Sequence, residues 1–477
     1  MSATNNLPTE AVTTGRPVES GERANFTSAI RLKLRVPARM RNLELVLLLV
    51  ASGINAAAVC LVQLGALGKI DSTLLTFGVA LTVLVFAMHF TMRVVAPEAD
   101  PFILPVITVL NGLGIAMIYR IDIAKGFTGW DAAGVRQIVW TAIAISLAIV
   151  VIVVVRNHRV LLRYRFVSMF TGIALLLLPL VPFIGSEKFG ARIWIEVGPL
   201  SFQPGELGKI ALAIFFAGYL VTARDSLSMV GTKVLGLTFP RARDLGPIIV
   251  VFLASMGVLI FQRDLGTALL YFGLFLVMIY VATGRASWII LGLTAFFGGA
   301  LVASQTLSYV NGRFAAWLDA FNPDIYAQTG GSYQLVQGLF GLANGGLIGT
   351  GLGQGRPQIV PLAESDYIIA SLGEELGLIG LFAILALYLL FVSRGFRIGF
   401  AGQDDFGRLL GVGLSFAIAL QIFIVVGGVT RVIPLTGLTT PFMAAGGSSL
   451  VANWIIAALL LRLSDTVRNQ PRAVIEQ

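Results

Sequence analysis

The sequence predicts an all-α polytopic membrane protein of about twelve transmembrane helices, and three observations predict it. Hydrophobic residues make up 56% of the chain and charged residues 12%, with a mean hydropathy of +0.86, far from the profile of a soluble globular domain. Apolar segments recur at roughly 43–66, 73–92, 102–119, 137–155, 166–185, 206–222, 245–261, 265–282, 286–305, 371–393, 409–428 and 441–462. The almost continuously apolar run from Ile248 to Ala282 is too long for one span. At about 1.5 Å per residue it would reach roughly 50 Å, against a hydrocarbon core of about 30 Å. It therefore turns back on itself.

Residues 1–42 are polar and basic, ending in Arg31, Lys33, Arg35, Arg39 and Arg41 without the apolar core of a secretory signal. They read as a cytoplasmic tail that orients the first span. An even number of spans then returns the short tail 464–477 to the cytoplasm. Lys and Arg agree with this assignment: the inner segments carry 23 of them and the outer segments 10, with Lys209 inside a span. One cysteine, Cys60, excludes an internal disulfide, and with only His89 and His158 beside it a His/Cys metal centre is excluded too.

The turn of the long run falls at Gln262-Arg263-Asp264, its only charged point, with Gly266 beside it. This places Asp264 next to the outer aqueous face. Ionisable groups in or near a membrane are costly enough to be functional hypotheses by default. The bland alternative is an Arg-Asp pair that merely caps an interhelical turn.

Two outer segments are unusual. Between Gly185 and Gly205, apolar and charged residues alternate around Trp194, as suits chain lying in the headgroup region. The next span opens with Glu206 and Lys209, three apart on one helical face. A capped helix start with a snorkelling lysine would explain the pair without function. The loop 306–370 is long, rich in aromatics and glycines, and packs eight glycines between Gly338 and Gly355, where backbone can approach backbone or ligand closely. It lacks the Gly-Lys-Ser/Thr ending of a nucleotide-binding loop. Arg356, Ser365 and Asp366 follow, then Gly373-Glu374-Glu375-Leu376-Gly377. The last span opens with Pro434, Gly437, Pro441 and Gly446-Gly447-Ser448-Ser449, the composition of a broken or closely packed helix start.

Several of these stretches resemble the SEDS family of RodA and FtsW proteins. They are Gly190-Ala191-Arg192-Ile193-Trp194, Gln203-Pro204-Gly205-Glu206 with Lys209, Gln262-Arg263-Asp264-Leu265-Gly266-Thr267-Ala268, Ser332-Tyr333-Gln334, Glu364-Ser365-Asp366-Tyr367 through Gly377, and Pro441-Phe442 with Gly446 to Ser449. The resemblance runs over roughly 102–463 and leans to the RodA branch. The chain departs from the family pattern in having Arg263 where a proline is usual, Gly205 for a serine, Ala444-Ala445 for a Ser-Tyr pair and Glu364 for a histidine. Since ten spans are usual in the family, residues 43–100 are two additional N-terminal helices ahead of a membrane domain spanning 101–463.

The resemblance implies an inverting glycosyltransferase that polymerises lipid II into peptidoglycan strands at the outer face of the bacterial cytoplasmic membrane, for cell elongation and shape. A division-specific polymerase and a lipid flippase or transporter are the alternatives. It implies a class B penicillin-binding protein as partner and no nucleic acid. An α-linked donor and a β-linked product need a single displacement with one base, which the resemblance assigns to Asp264. Arg192, Lys209 and Arg356 would meet the pyrophosphate, with Glu206, Ser365 and Asp366 completing the substrate site. Pyrophosphate chemistry suggests a divalent cation, magnesium or manganese, shared by Asp264 and Glu206.

Overall fold

The computed structural model describes residues 38–469, except 189, 199, 229–231, 235–236 and 240–241; of the two expected tails, 1–37 and 470–477 lie outside the described residues. The helices, in chain order, begin with α1 (Ala38–Leu67), α2 (Ser72–Val95), α3 (Ile103–Lys125), α4 (Ala133–Val154), α5 (Arg159–Arg163) and α6 (Arg165–Leu177). A small sheet of β1 (Gly185–Lys188), β2 (Ala191–Val197) and β3 (Leu200–Phe202) leads into α7 (Pro204–Ser228). A hairpin, β4 (Thr232–Val234) and β5 (Leu237–Phe239), precedes α8 (Ala242–Phe261), α9 (Leu265–Thr283) and α10 (Ser287–Thr306). Then come α11 (Ser308–Leu318), α12 (Pro323–Ala327), α13 (Tyr333–Gly345), α14 (Ile368–Ala401), α15 (Asp405–Val429) and α16 (Gly447–Arg468).

Among the described residues ten helices are long and apolar enough to cross a membrane, and two shorter apolar helices, Arg165–Leu180 and Ile249–Phe261, occupy the places of the other two expected spans. The core lies where α3, α7, α15 and α16 pack with α4, α9 and α14, and α16 is buried for most of its length. Small residues permit the close approach: a Cβ at Gly114 would lie 2.6 Å from the Met443 Cα, and one at Gly399 would lie 2.8 Å from the Val412 nitrogen.

Two segments differ from expectation. Residues 185–202 form an antiparallel sheet, with Gly185 opposite Ile195 and Glu196 opposite Ser201, instead of lying as irregular chain among headgroups. Their apolar-polar alternation is the period of a strand. Segment 306–370 is a folded cap containing α11, α12, α13 and a 3-10 turn at Pro357–Ile359, so it is no open loop. The last helix also runs to Arg468, past the expected boundary at 463.

Polar contacts sort the connections into two sets. Asp100 bonds Arg468 at 2.8 Å, Arg462 Nη1 donates to the Val95 carbonyl at 2.8 Å, and His158 meets Asp404 at 2.6 Å. In the other set Lys125 meets Glu364 at 2.8 Å and Arg313 donates to the Leu435 carbonyl at 2.7 Å. Segments expected on the inner side meet one another, and so do those expected on the outer side.

The eight-glycine stretch has a structural use. Inside α14, Gly377 sits at φ 67° and ψ −174°, which breaks the helix. The freed groups are taken up by the glycine stretch: Thr350 and Gly351 donate to the carbonyls of Glu374 and Glu375 at 3.0 and 2.9 Å, while Leu378 and Ile379 donate to Gly346 and Leu347 at 3.0 and 3.1 Å. A broken membrane helix survives only when neighbours satisfy its backbone in this way. Gly349 and Gly377 must both be glycine, since a Cβ on either would meet the other strand's backbone at 2.3 Å and both have positive φ.

Candidate active site

Asp264 closes the turn between α8 and α9. It is the N-cap of α9, its Oδ1 accepting the Thr267 backbone N–H at 2.9 Å, which satisfies one amide that a helix start leaves unpaired. Arg263 supplies the sharp reversal at φ 59°, a conformation that few non-glycine residues adopt, and its guanidinium lies 5.9 Å over the Tyr309 ring. The backbone N–H of Arg192 donates to the Gln262 carbonyl at 3.3 Å, stitching β2 to this turn. The carboxyl is 8% exposed, so it lies under protein and not open to water as its position in sequence suggests. Gly266 explains the depth, because Leu438 and the Thr436 carbonyl pack directly on it.

Burial raises the Asp264 pKa; the Thr267 hydrogen bonds oppose the shift, Glu206 adds to it and Arg313 opposes it. Glu206 and Asp264 are therefore near enough to feel one another. Gln203 Nε2 reaches Asp264 Oδ2 at 3.4 Å, and its backbone N–H donates to Ser448 Oγ at 3.0 Å, which brings the start of α16 to the same place.

Glu206 and Lys209 are paired at 2.8 Å on the first turn of α7. Lys209 is 2% exposed, which rules out a snorkelling lysine. Its ammonium also donates to Gln421 Oε1 at 3.0 Å, and Gln421 Nε2 donates to the Thr439 carbonyl at 2.9 Å. An ammonium has three donors, so one remains for a substrate oxygen. Close by in sequence, the hydroxyls of Thr439 and Thr440 are buried without a hydrogen-bond partner.

Asp366 accepts from Ser365 Oγ at 2.7 Å. Its pKa rises to about 6 through burial, with Ser365 and Arg313 opposing and Asp264 reinforcing the shift. Arg313, on α11, is the cation between the two carboxyls and feels both. In the sequence it is one polar residue of the long segment 306–370. Only the packing of α11 against 434–438 makes it part of the site.

Arg356 is not brought to Asp264 by any contact of its own. Its side chain is exposed and its backbone N–H donates to Glu374 Oε1 at 3.0 Å, in a second cluster where Arg120 Nε meets Glu375 at 3.1 Å and Asn344 donates to Glu374 at 3.0 Å. The segment carrying Arg356 follows the broken helix, and this dictates where it goes. The structure thus joins Asp264, Glu206, Lys209, Ser365 and Asp366 in one neighbourhood, with Arg192 tied to it through its backbone.

No group of three or more His, Cys, Asp or Glu poised for a metal occurs among the described residues. Of the two carboxylates expected to share a cation, Glu206 is already paired with Lys209 at 2.8 Å and Asp264 accepts the Thr267 N–H. A hard cation would therefore depend on substrate phosphate oxygens and water for the rest of its ligands.

The chain matches the family model FTSW_RODA_SPOVE, a cell cycle protein family, over residues 101–469. It is 45% identical over 441 residues to the peptidoglycan glycosyltransferase RodA of Mycobacterium bovis, covering 92% of this chain and 93% of that one. To the probable peptidoglycan glycosyltransferase FtsW of a Geobacter species it is 32% identical, covering 77% of this chain and 97% of that one. Among solved structures it resembles a chain of a peptidoglycan synthase complex that coordinates polymerization and crosslinking, with a TM-score of 0.61 at 22% identity, covering 78% and 99% of the two chains. The rod shape determining protein RodA of Thermus thermophilus matches with a TM-score of 0.54 at 24% identity, covering 78% and 98%. The FtsW and Thermus matches leave out about a fifth of this chain, and the family model begins only at 101, whereas the mycobacterial match must include much of α1 and α2.

Proposed function

Because the chain belongs to the FTSW_RODA_SPOVE family, we propose that it is a peptidoglycan glycosyltransferase of the RodA kind, an integral membrane enzyme that polymerises lipid II for cell elongation and shape. The observation that carries the site assignment is the Asp264 carboxylate. It is rigidly capped on α9, desolvated, and flanked by Glu206 with Lys209 on one side and Arg313 with Asp366 on the other.

The reaction joins a sugar hydroxyl to an anomeric carbon as the bond from that carbon to a lipid pyrophosphate breaks. Asp264 takes the hydroxyl proton. Its raised pKa makes it a better base than a solvated aspartate. The hydrogen bond from Thr267 fixes Oδ1, and Oδ2, held only by the long 3.4 Å contact from Gln203, is the oxygen offered to the substrate. The leaving pyrophosphate gains charge, and the free donor of Lys209 and the guanidinium of Arg192 meet it in a site partly closed to water. Glu206 holds Lys209 in place and lowers its net charge, so more than one cation is needed. A magnesium or manganese ion held by Asp264 and Glu206 would supply further charge to the pyrophosphate.

The sidedness follows the Lys and Arg distribution: termini and the Asp100, Arg462 and His158 contacts cytoplasmic, Asp264 extracytoplasmic. An apolar cleft of about 370 Å³ between α14 and α15, lined by Leu385, Leu389, Phe423 and Val426, offers the kind of lateral surface that a polyprenyl tail or a partner's membrane helix needs. The partner we propose is a class B penicillin-binding protein that crosslinks the strands. The test is purified chain, with that partner, given labelled lipid II and scored on gels for glycan strands. Polymer from the natural chain and none from Asp264→Asn, at equal protein and partner recovery, is the expected result; equal polymer from both would overturn the assignment.

A further inference from the structure

A cavity of about 750 Å³ opens in the folded cap, within the roughly 300–1,000 Å³ of small-molecule clefts. Arg313 and Asp366 line it, and both lie within electrostatic reach of Asp264, so the cavity adjoins the candidate active site. The rest of its wall includes Trp317, Tyr326, Tyr333 and Gln328.

These aromatics are held still. The Trp317 indole N–H donates to the Arg431 carbonyl at 3.1 Å, and Arg431 returns donors to the carbonyls of Trp317 and Leu318 at 2.8 and 2.7 Å. Tyr326 and Tyr333 meet edge to face at 5.2 Å, and Gln337 donates to the Tyr326 hydroxyl at 2.9 Å. Tyr333 nevertheless keeps 40% exposure, so ring surface is left for a ligand.

The lining selects among the parts of a lipid-linked glycan. A polyprenyl chain would leave Arg313 and Asp366 without polar contacts and suits the apolar cleft better. A pyrophosphate would find a single guanidinium, Arg313, already offset by the Asp366 carboxyl. Rigid rings beside an amide, a guanidinium and a carboxyl match a pyranose, whose C–H face packs on an aromatic ring while its hydroxyl and acetamido groups exchange hydrogen bonds at the rim.

We propose that this cavity is a saccharide subsite, holding N-acetylhexosaminyl units of the growing strand next to the sugar that reacts at Asp264. The proposal rests on the glycosyltransferase reading. Holding the strand here delays its release between additions, so the subsite governs strand length.

Two measurements test it. In full-length Asp264→Asn protein, which cannot turn over, chitotetraose is titrated and followed by tryptophan fluorescence and saturation-transfer NMR. Binding is expected, weakened about tenfold by Tyr333→Ala, the scale of one lost aromatic contact. In the otherwise natural chain with its partner, Tyr333→Ala is expected to shorten the strands on gels. Gln328→Ala, at an exposed position of the same wall, gives a second reading if the tyrosine variant does not fold. No chitotetraose binding, binding indifferent to both variants, or binding of the free stem pentapeptide in place of the saccharide would overturn the subsite. Strands of unchanged length would do so too while leaving the polymerase intact. Saccharide binding through Tyr333 in a chain that makes no polymer would instead support the subsite and sink the polymerase.

Discussion

Two clusters of buried acids stand in contrasting states. Around Glu374 and Glu375 every carboxylate is answered: Arg120 and the Gly353 N–H serve Glu375 at 3.1 and 2.8 Å, and Asn344 with the Arg356 N–H serves Glu374 at 3.0 Å each. Around Asp264 the carboxyls accept fewer protein donors: Asp366 has Ser365 Oγ at 2.7 Å, Glu206 has Lys209 at 2.8 Å, and Asp264 has the Thr267 N–H at 2.9 Å beside a 3.4 Å contact from Gln203. A saturated cluster holds a fold together. An undersupplied one keeps capacity for a proton or a ligand, which is where perturbed acids and function coincide.

The contrast can be broken or sharpened by experiment. The largest effect is expected from Asp264→Asn, which keeps the helix cap because asparagine accepts the Thr267 N–H equally well. Polymerisation should fall by roughly 10²–10⁴-fold while the melting temperature in detergent hardly moves; a large drop in melting temperature would make Asp264 a structural residue. Arg120→Ala should do the reverse. It strands Glu375 in the core and should cost about 3–5 kcal/mol of stability, read by thermal unfolding, with the turnover of the surviving folded protein preserved.

Gly377→Ala should cost about 1–3 kcal/mol for a backbone conformation that essentially only glycine adopts, and more from the contact with Gly349. Its unfolding should be compared with Gly299→Ala on α10, where φ is ordinary and an added Cβ meets nothing within 4 Å. The smallest effect is in pH. Burial lifts Asp366 from 3.8 to about 6, so the fold binds its proton more tightly than the unfolded chain does. Its stabilising contribution is present below about pH 4 and is lost as pH rises through about 6. The rate should run the other way, falling as acid protonates Asp264, since burial raises that pKa as well. A rate constant flat down to pH 4 would remove Asp264 as the base.

What the sequence disclosed and what it hid have a physical pattern. Hydropathy located the membrane helices because each is a local property of some twenty residues. The over-long run located Asp264, and a spacing of three located the Glu206 and Lys209 pair. Contacts across the chain left no such mark: Gln421 reaches Lys209 from 212 positions away, and Arg120 reaches Glu375 from 255. Arg313 was hidden for the same reason, and Arg356, near Asp366 in sequence, has its backbone bonded to Glu374 because its segment follows the broken helix. The strands at 185–202 carried a readable alternation, but next to a membrane an amphipathic stretch can also lie flat, and periodicity alone did not choose.

The packing of α1 on the glycine stretch has a consequence for engineering the chain. A Cβ at Gly65 would sit 2.4 Å from the Leu352 carbonyl, and one at Gly353 would sit 2.9 Å from the Gly65 Cα. The leading hairpin is thus a keystone wedged beside the splice in α14. Trimming the chain to the length that its FtsW-like relatives share would uncover a seam of bare main chain, and a shortened version would need a substitute wedge before it could serve as a minimal enzyme.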